Sequence, residues 1–164
     1  MVRTEISLFL KNAPGELGRL AALFAEAGIN IDAITIQDAS NYVKELFKAR
    51  GRSLKRIASA ASYDSMSKDS AEFALIRVLP SEGATDRAMD LLTRHEYVFD
   101  IVPVIAVPLR NQPGRLAEVA GRLGREGINI NYMYGSSTGE DQEGLIVFCL
   151  DDIDRAARIL KDEE

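Results

Sequence analysis

Strict alternation opens the chain. From Arg3 to Leu10 the residues Ile6, Leu8 and Leu10 fall on one side of an extended segment, which predicts a first strand with one buried face. Helical spacing follows at once, with Leu17, Leu20, Ala21 and Phe24 forming one apolar stripe over Leu17 to Ala27. Alternation then returns from Ile29 to Gln37, a second strand. Further on, Ala71 to Leu79 reads as a buried strand and Ala84 to His95 as an amphipathic helix through Ala84, Ala88, Leu91 and Leu92. The run from Tyr97 to Leu109 is β-rich and too short for two strands with a linker, so it predicts one strand passing directly into another.

The pattern then repeats. Lys11 to Ile31, KNAPGELGRLAALFAEAGINI, returns without a gap as RNQPGRLAEVAGRLGREGINI from Arg110 to Ile130. The second stripe is Leu116, Val119, Ala120 and Leu123 on a helix from Arg115 to Glu126, followed by strands at Ile128 to Ser136 and Gly144 to Leu150 and a helix from Ile153 to Lys161. Proline and glycine open each helix. Gly28 and Gly127 stand where a left-handed C-terminal residue is wanted, with Ile29 and Ile128 placed to pack back on Phe24 and Leu123. Gly18, Ala22 and Ala25, and likewise Ala117, Gly121 and Gly124, form lines of small residues that predict close helix approach.

Each repeat reads β-α-β-β-α, with a closing strand clear in the first and missing from the second. This predicts an α+β protein of two tandem ferredoxin-like (βαββαβ) sandwiches, at 1–102 and 103–164, their antiparallel sheets joined side by side through the second strands. Only 40–70 has no counterpart. It carries Lys44, Lys48, Arg50, Arg52, Lys55 and Arg56 with Val43, Leu46 and Phe47 in helix-like spacing before a serine-rich stretch. A docking arm for an anionic partner and a solvated helix capping the sheet are both compatible with it.

Charge and composition narrow the function. A net charge of −5 argues against nucleic-acid binding, and no apolar run reaches membrane-spanning length. The N-terminus lacks signal-peptide order and the single cysteine, Cys149, allows no internal disulfide, so a cytoplasmic setting is expected. No Walker loop, metal-ligand spacing or nucleophile with a histidine frame is present, and no cofactor, metal or catalytic role is expected. Asp151, Asp152 and Asp154 suit a helix start, and His95 a solvated helix end.

A strand, N-x-P-G-x-L, a helix and G-I-N-I leading into a strand, used twice in a small acidic protein, resemble the ACT domain family, in particular stand-alone proteins of two tandem ACT domains. The resemblance implies a non-catalytic regulatory module that holds a small amino acid between paired domains, in a homodimer or within one chain. It uses the first strand-helix loop of one domain and the second strand of its neighbour. Those positions are Asn12, Ala13, Pro14, Gly15, Glu16 and Leu17 with Asn30, and Asn111, Gln112, Pro113, Gly114, Arg115 and Leu116 with Asn129. Leu10 and Leu109 replace a histidine found in some relatives, a departure from their serine-type chemistry.

Elementary chemistry fits the same loops. Peptide nitrogens at a helix start favour a carboxylate, glycine leaves room for it, and asparagine can donate and accept. Asparagine, proline and glycine are equally what a purely structural helix start uses. Arg110 and Arg115 make the second loop the more electropositive, and it is expected to bind a carboxylate more tightly. Tyr132, Met133 and Tyr134 are candidates to line the cleft or to serve as core. A ligand-free assembly module using sheet edges and the basic insert is the alternative.

Overall fold

The structure, a computed structural model, describes residues 1–40, 72–136 and 139–161. The basic insert expected at 40–70 lies outside the described residues except for Ser40. In chain order the elements are β1 (Val2–Lys11), α1 (Glu16–Glu26), β2 (Ile31–Asp38), β3 (Phe73–Pro80), α2 (Thr85–Arg94), β4 (Phe99–Arg110), α3 (Arg115–Arg125), β5 (Ile130–Gly135), β6 (Glu143–Leu150) and α4 (Ile153–Ile159). The run around Pro103 is one continuous strand, as its length required. The chain divides into two compact units, Ile6–Ile101 and Met1–Glu5 with Val102–Glu164. Both divisions fall inside a strand.

In the first-repeat unit, β3 lies between β2 and β1 and pairs antiparallel with both, Ile6 opposite Val78 and Ile36 opposite Ile76. Ile6, Leu8 and Leu10 face Leu20 and Phe24 of α1 and Ala88, Leu91 and Leu92 of α2, and Phe99 at the start of β4 packs against the same core. The second-repeat unit repeats this scheme. Its β6 lies between β4 and β5, and Ile105, Val107, Leu109, Phe148 and Leu150 meet Val119 and Leu123 of α3 and Ala156 of α4. Each unit is an α+β sandwich of ferredoxin-like type, one antiparallel sheet with helices on one face.

The helix ends follow the sequence closely. Gly28 and Gly127 have φ of 62° and 69°. The amides of Ile29 and Ile128 reach back to the carbonyls of Phe24 and Leu123 at 2.9 and 3.0 Å, the long hydrogen bond of a Schellman motif. All four side chains are in the cores, so the turn that stops each helix also docks its next strand.

Several expectations are corrected. The second strands do not join: among the described residues β2 neighbours β3 alone and β5 neighbours β6 alone. The strand absent from the second repeat is replaced by Met1–Glu5 of β1, beside β4. Met1 and Ala106 exchange both backbone hydrogen bonds, at 2.7 and 2.9 Å, the close pair of an antiparallel ladder. Pro103 and Pro108 fit this arrangement. Recorded β4–β6 pairing begins at Ile105, and β1 is bonded to β4 as far as Met1 opposite Ala106, so each proline lacks its N–H where no strand needs it. Among the described residues the small-residue lines receive no helix within their units: a Cβ at Gly18 or Gly124 would meet nothing within 4 Å, and Ala22 and Ala25 are exposed.

The face of the second-repeat sheet opposite α3 and α4 holds a buried carboxylate. Glu5, fully buried, accepts hydrogen bonds from the Tyr132 hydroxyl at 2.6 Å and the Tyr134 hydroxyl at 2.8 Å. Burial, the hydrogen bond to Glu5 and its negative charge, and the neighbouring Cys149 hold the Tyr132 phenol well above its ordinary value of 10.0. The folded chain therefore keeps a proton that the unfolded chain gives up. The stability this group contributes is complete below about pH 10 and is lost as pH rises beyond it. Chemical denaturation at pH 8 to 11 should show stability falling above pH 10, less steeply in Tyr132→Phe. Two glycines give opposite expectations in the same assay. A Cβ at Gly135 would lie 2.6 Å from the Leu145 carbonyl oxygen, so Gly135→Ala should cost about 1–3 kcal/mol through overpacking. Gly124→Ala, on an open helix face, should stabilise by about 0.5–1 kcal/mol.

Candidate functional site

Each repeat places its loop between the first strand and first helix, and the local geometry is the same twice. Gly15 and Gly114, the residues before α1 and α3, adopt left-handed φ of 91° and 94°, which a side chain resists, and a Cβ there would meet nothing within 4 Å. Neither helix has a side-chain cap. The amides of Glu16 and Arg115 turn back to Ala13 and Gln112 at 3.3 and 3.2 Å, while those of Arg19 and Glu118 begin the helical ladder at Gly15 and Gly114. No hydrogen bond is recorded for the two amides between, Leu17 and Gly18 or Leu116 and Ala117, among the described residues. Those nitrogens carry the positive end of the helix dipole toward open space.

Leu17 and Leu116, expected in the buried stripes, are instead 36% and 44% exposed. Ala21 is also exposed, and burial falls to Leu20 and Phe24, and to Val119 and Leu123. Each leucine lies in the first turn of its helix, outside the core of its unit, and adds an apolar surface near the amides. Sequence spacing cannot report this, because it gives the face of a helix and not where the sheet beneath it stops.

The loops differ in what their polar side chains hold. Asn111 donates from Nδ2 to the Gly139 carbonyl at 2.9 Å, and Gln112 from Nε2 to Asp141 Oδ1 at 2.7 Å. The loop is thus tied to the β5–β6 turn. Arg115 pairs with Glu118 at 2.5 Å, so the positive excess expected of this loop is offset by Glu118 and by the Asp141 carboxylate. In the first loop Arg19 pairs with Glu16 at 2.7 Å, and the Asn12 amide donates to the Glu72 carbonyl at 2.9 Å. Tyr97, packed against the same core, has its phenol raised by burial and then by the Glu16 charge, with Arg19 opposing. Asp141 and Glu72 were not singled out from the sequence; their only signal was position, in or beside the loops that close the same sheet end.

Asn30 and Asn129 sit far from the loops of their own units. Lys11 lies opposite Phe73 and Ile31 opposite Pro80, so Asn12 and Asn30 mark the two ends of β3. In the other unit Arg110 lies opposite Glu143 and Ile130 opposite Leu150, which separates Asn111 from Asn129 by a strand length, about 23 Å. Asn30 donates to Asp32 at 3.3 Å and Asn129 to Asn131 at 3.1 Å, all on exposed chain. Tyr132 points its hydroxyl to Glu5 on the sheet face opposite α3 and α4.

Comparison with known proteins agrees with this geometry. Residues 43–164 match the family described as an ACT domain pair, and residues 4–47 match the ACT domain. No curated protein sequence matches the chain. Among solved structures, a protein from Bacteroides thetaiotaomicron is similar at a TM-score of 0.70 and 25% identity, over 99% of this chain and 88% of that one. The fold also resembles the regulatory subunit of aspartate kinase from Thermus thermophilus, with a TM-score of 0.54 and 14% identity over 99% of this chain and 97% of that one. Aspartate kinase from Synechocystis aligns at 0.56 and 16% identity, over 98% of this chain and 24% of that one. The family match spans most of the residues, both repeats carry the loop and the glycine-closed helix, and the chain belongs to the ACT domain pair family.

Proposed function

We propose that the chain is a non-catalytic regulatory module that binds a small amino acid at the helix-start loops. The α-carboxylate would lie on the amides of Leu17 and Gly18, or of Leu116 and Ala117, with the side chain against the exposed leucine. The observation that carries this reading is the twice-repeated left-handed glycine, opening on vacant space beside uncapped helix amides. No charged side chain is needed for such a carboxylate.

The missing half of each site is supplied in this reading by a second copy of the chain. Among the described residues β2 and β5 are the edges, and Ile34 and Ile36 on β2 are 41% and 49% exposed without a lysine or proline in the strand to discourage pairing. Two β2 strands paired antiparallel about a two-fold axis would set Asn30 of one copy near Asp38 of the partner subunit. Asp38 lies opposite Ala74, at the same sheet end as Asn12. The same pairing of β5 would carry Asn129 toward the loop of the other copy. The asparagine and the amides could then hold the ammonium and carboxylate of one zwitterion. A cytoplasmic setting belongs to this reading on the single cysteine, Cys149, which allows no internal disulfide; among the described residues no helix is long and apolar enough to cross a membrane.

The exposed isoleucines also favour a second reading, a ligand-free assembly module. Thermal melts against the twenty amino acids, with size-exclusion chromatography, separate the two. Ligand at one hundred times its Kd should add about 2.7 kcal/mol of stability, several degrees in melting temperature. A dimer that no amino acid stabilises at millimolar concentration would leave the assembly reading in its place. If the first reading holds, Leu17→Asp and Leu116→Asp, which set a carboxylate beside the amides, should each weaken binding at their own loop by about tenfold in calorimetric titration. The cost of about 1–2 kcal/mol is that of like charge near a helix start.

A further inference from the structure

The ligand reading leaves Glu5 without a role. In TEISLFL it stands on the face away from Ile6, Leu8 and Leu10, where a charged side chain would ordinarily meet water. It is nevertheless fully buried, and each carboxylate oxygen accepts a phenol, Oε1 from Tyr132 and Oε2 from Tyr134.

The partners are far apart in the sheet. Within this unit the strands run β1, β4, β6, β5, so β5 stands three strand spacings, about 14 Å, from the strand that carries Glu5. The two tyrosines must therefore cross β6 and β4 to reach it. The register puts both rings on the face of the sheet away from the core: Tyr132 lies opposite Cys149 and Tyr134 opposite Val147, which alternate with the core residues Phe148 and Leu150. Cys149, Val147 and Ala106 on that face are all buried. In the other repeat the gapless alignment puts Ala33 and Thr35 where Tyr132 and Tyr134 stand. Only one unit has this arrangement, and it is the unit whose fourth strand, Met1–Glu5, is not contiguous with the rest.

We propose that Glu5, Tyr132 and Tyr134 form a latch that holds the Met1–Glu5 strand in place from the edge strand β5, coupling the order of the two. Releasing the strand would leave a carboxylate without its two donors, and disordering β5 would remove them from the other side. Whatever orders the free edge of β5, a second copy or a ligand near Asn129, therefore also tightens the seat of the first strand, and the coupling acts equally in reverse. This rests on the arrangement of the unit itself and stands whether or not an amino acid is bound.

Hydrogen exchange of the full chain tests it. The Ala106 amide, bonded to the Met1 carbonyl at 2.9 Å, reports on the seated strand. The Leu123 amide in α3 reports on opening of the whole unit. In Tyr132→Phe and in Tyr134→Phe, exchange at Ala106 should rise about tenfold while Leu123 is unchanged. Met133→Ala, which alters an exposed side chain of the same strand, should leave Ala106 as it was. Faster exchange confined to β5, or an equal rise at Ala106 and Leu123, overturns the latch. A double-mutant cycle between Glu5→Gln and Tyr134→Phe gives a second check: effects on Ala106 exchange that combine less than multiplicatively support the coupling, and independent effects overturn it.

Discussion

A sheet cannot leave the flank of a buried strand without a partner, and that constraint shapes the second half of this chain. β4 has β6 on one side, and its other side is taken by Met1–Glu5. The consequence is that the first eleven residues serve two units: Met1–Glu5 belong with Val102–Glu164, and Ile6–Lys11 pair with β3 in the other unit. An apolar core tolerates this division because the alternation of β1 continues across it. What changes at Glu5 is the chemistry of the opposite face, where a carboxylate takes the place of a solvent-facing residue.

The repeat makes most of the fold readable from local code. Glycine at a helix end, an isoleucine after it and a leucine or phenylalanine five residues before that isoleucine are enough to fix the turn, the helix stop and the docking of the following strand. The same code says nothing about long-range choices. Whether β2 meets β5 or solvent, whether a small-residue line receives a helix, and which strand flanks β4 depend on contacts between residues a hundred positions apart. The exposure of Leu17 and Leu116 belongs to this class: their spacing was that of a core residue, and the end of the sheet decided otherwise. Glu5 did leave a trace, a charge within an apolar alternation, but only the position of Tyr132 and Tyr134 gives it meaning.

The candidate site is legible to a similar depth. Proline then glycine at 14–15 and 113–114 mark a helix start with room for a close approach to the amides, and the left-handed φ of both glycines is added by the structure. The unequal use of the asparagines is not legible in this way. Asn111 and Gln112 spend their amide groups on Gly139 and Asp141, and that depends on how the β5–β6 turn folds back, a turn in which Asp141 itself takes a φ of 61°. Counting charges along the loop leaves out two carboxylates, Asp141 from the β5–β6 turn and Glu118 from the next helical turn.

These features together separate two jobs within one small unit. The helix-start amides and the exposed leucine lie at one sheet end and need only local geometry, so they can be duplicated and can diverge without disturbing the core. The edges at β2 and β5 set what each unit can join, and they are long-range by nature. Glu5 connects the second edge to the first strand through two phenols that span the sheet, so in that unit alone the edge and the strand continuing into the other unit are held by one carboxylate. Duplication supplied two helix-start loops of the same backbone geometry, and the repeats differ in the partners of their loop side chains and in what their edge strands reach.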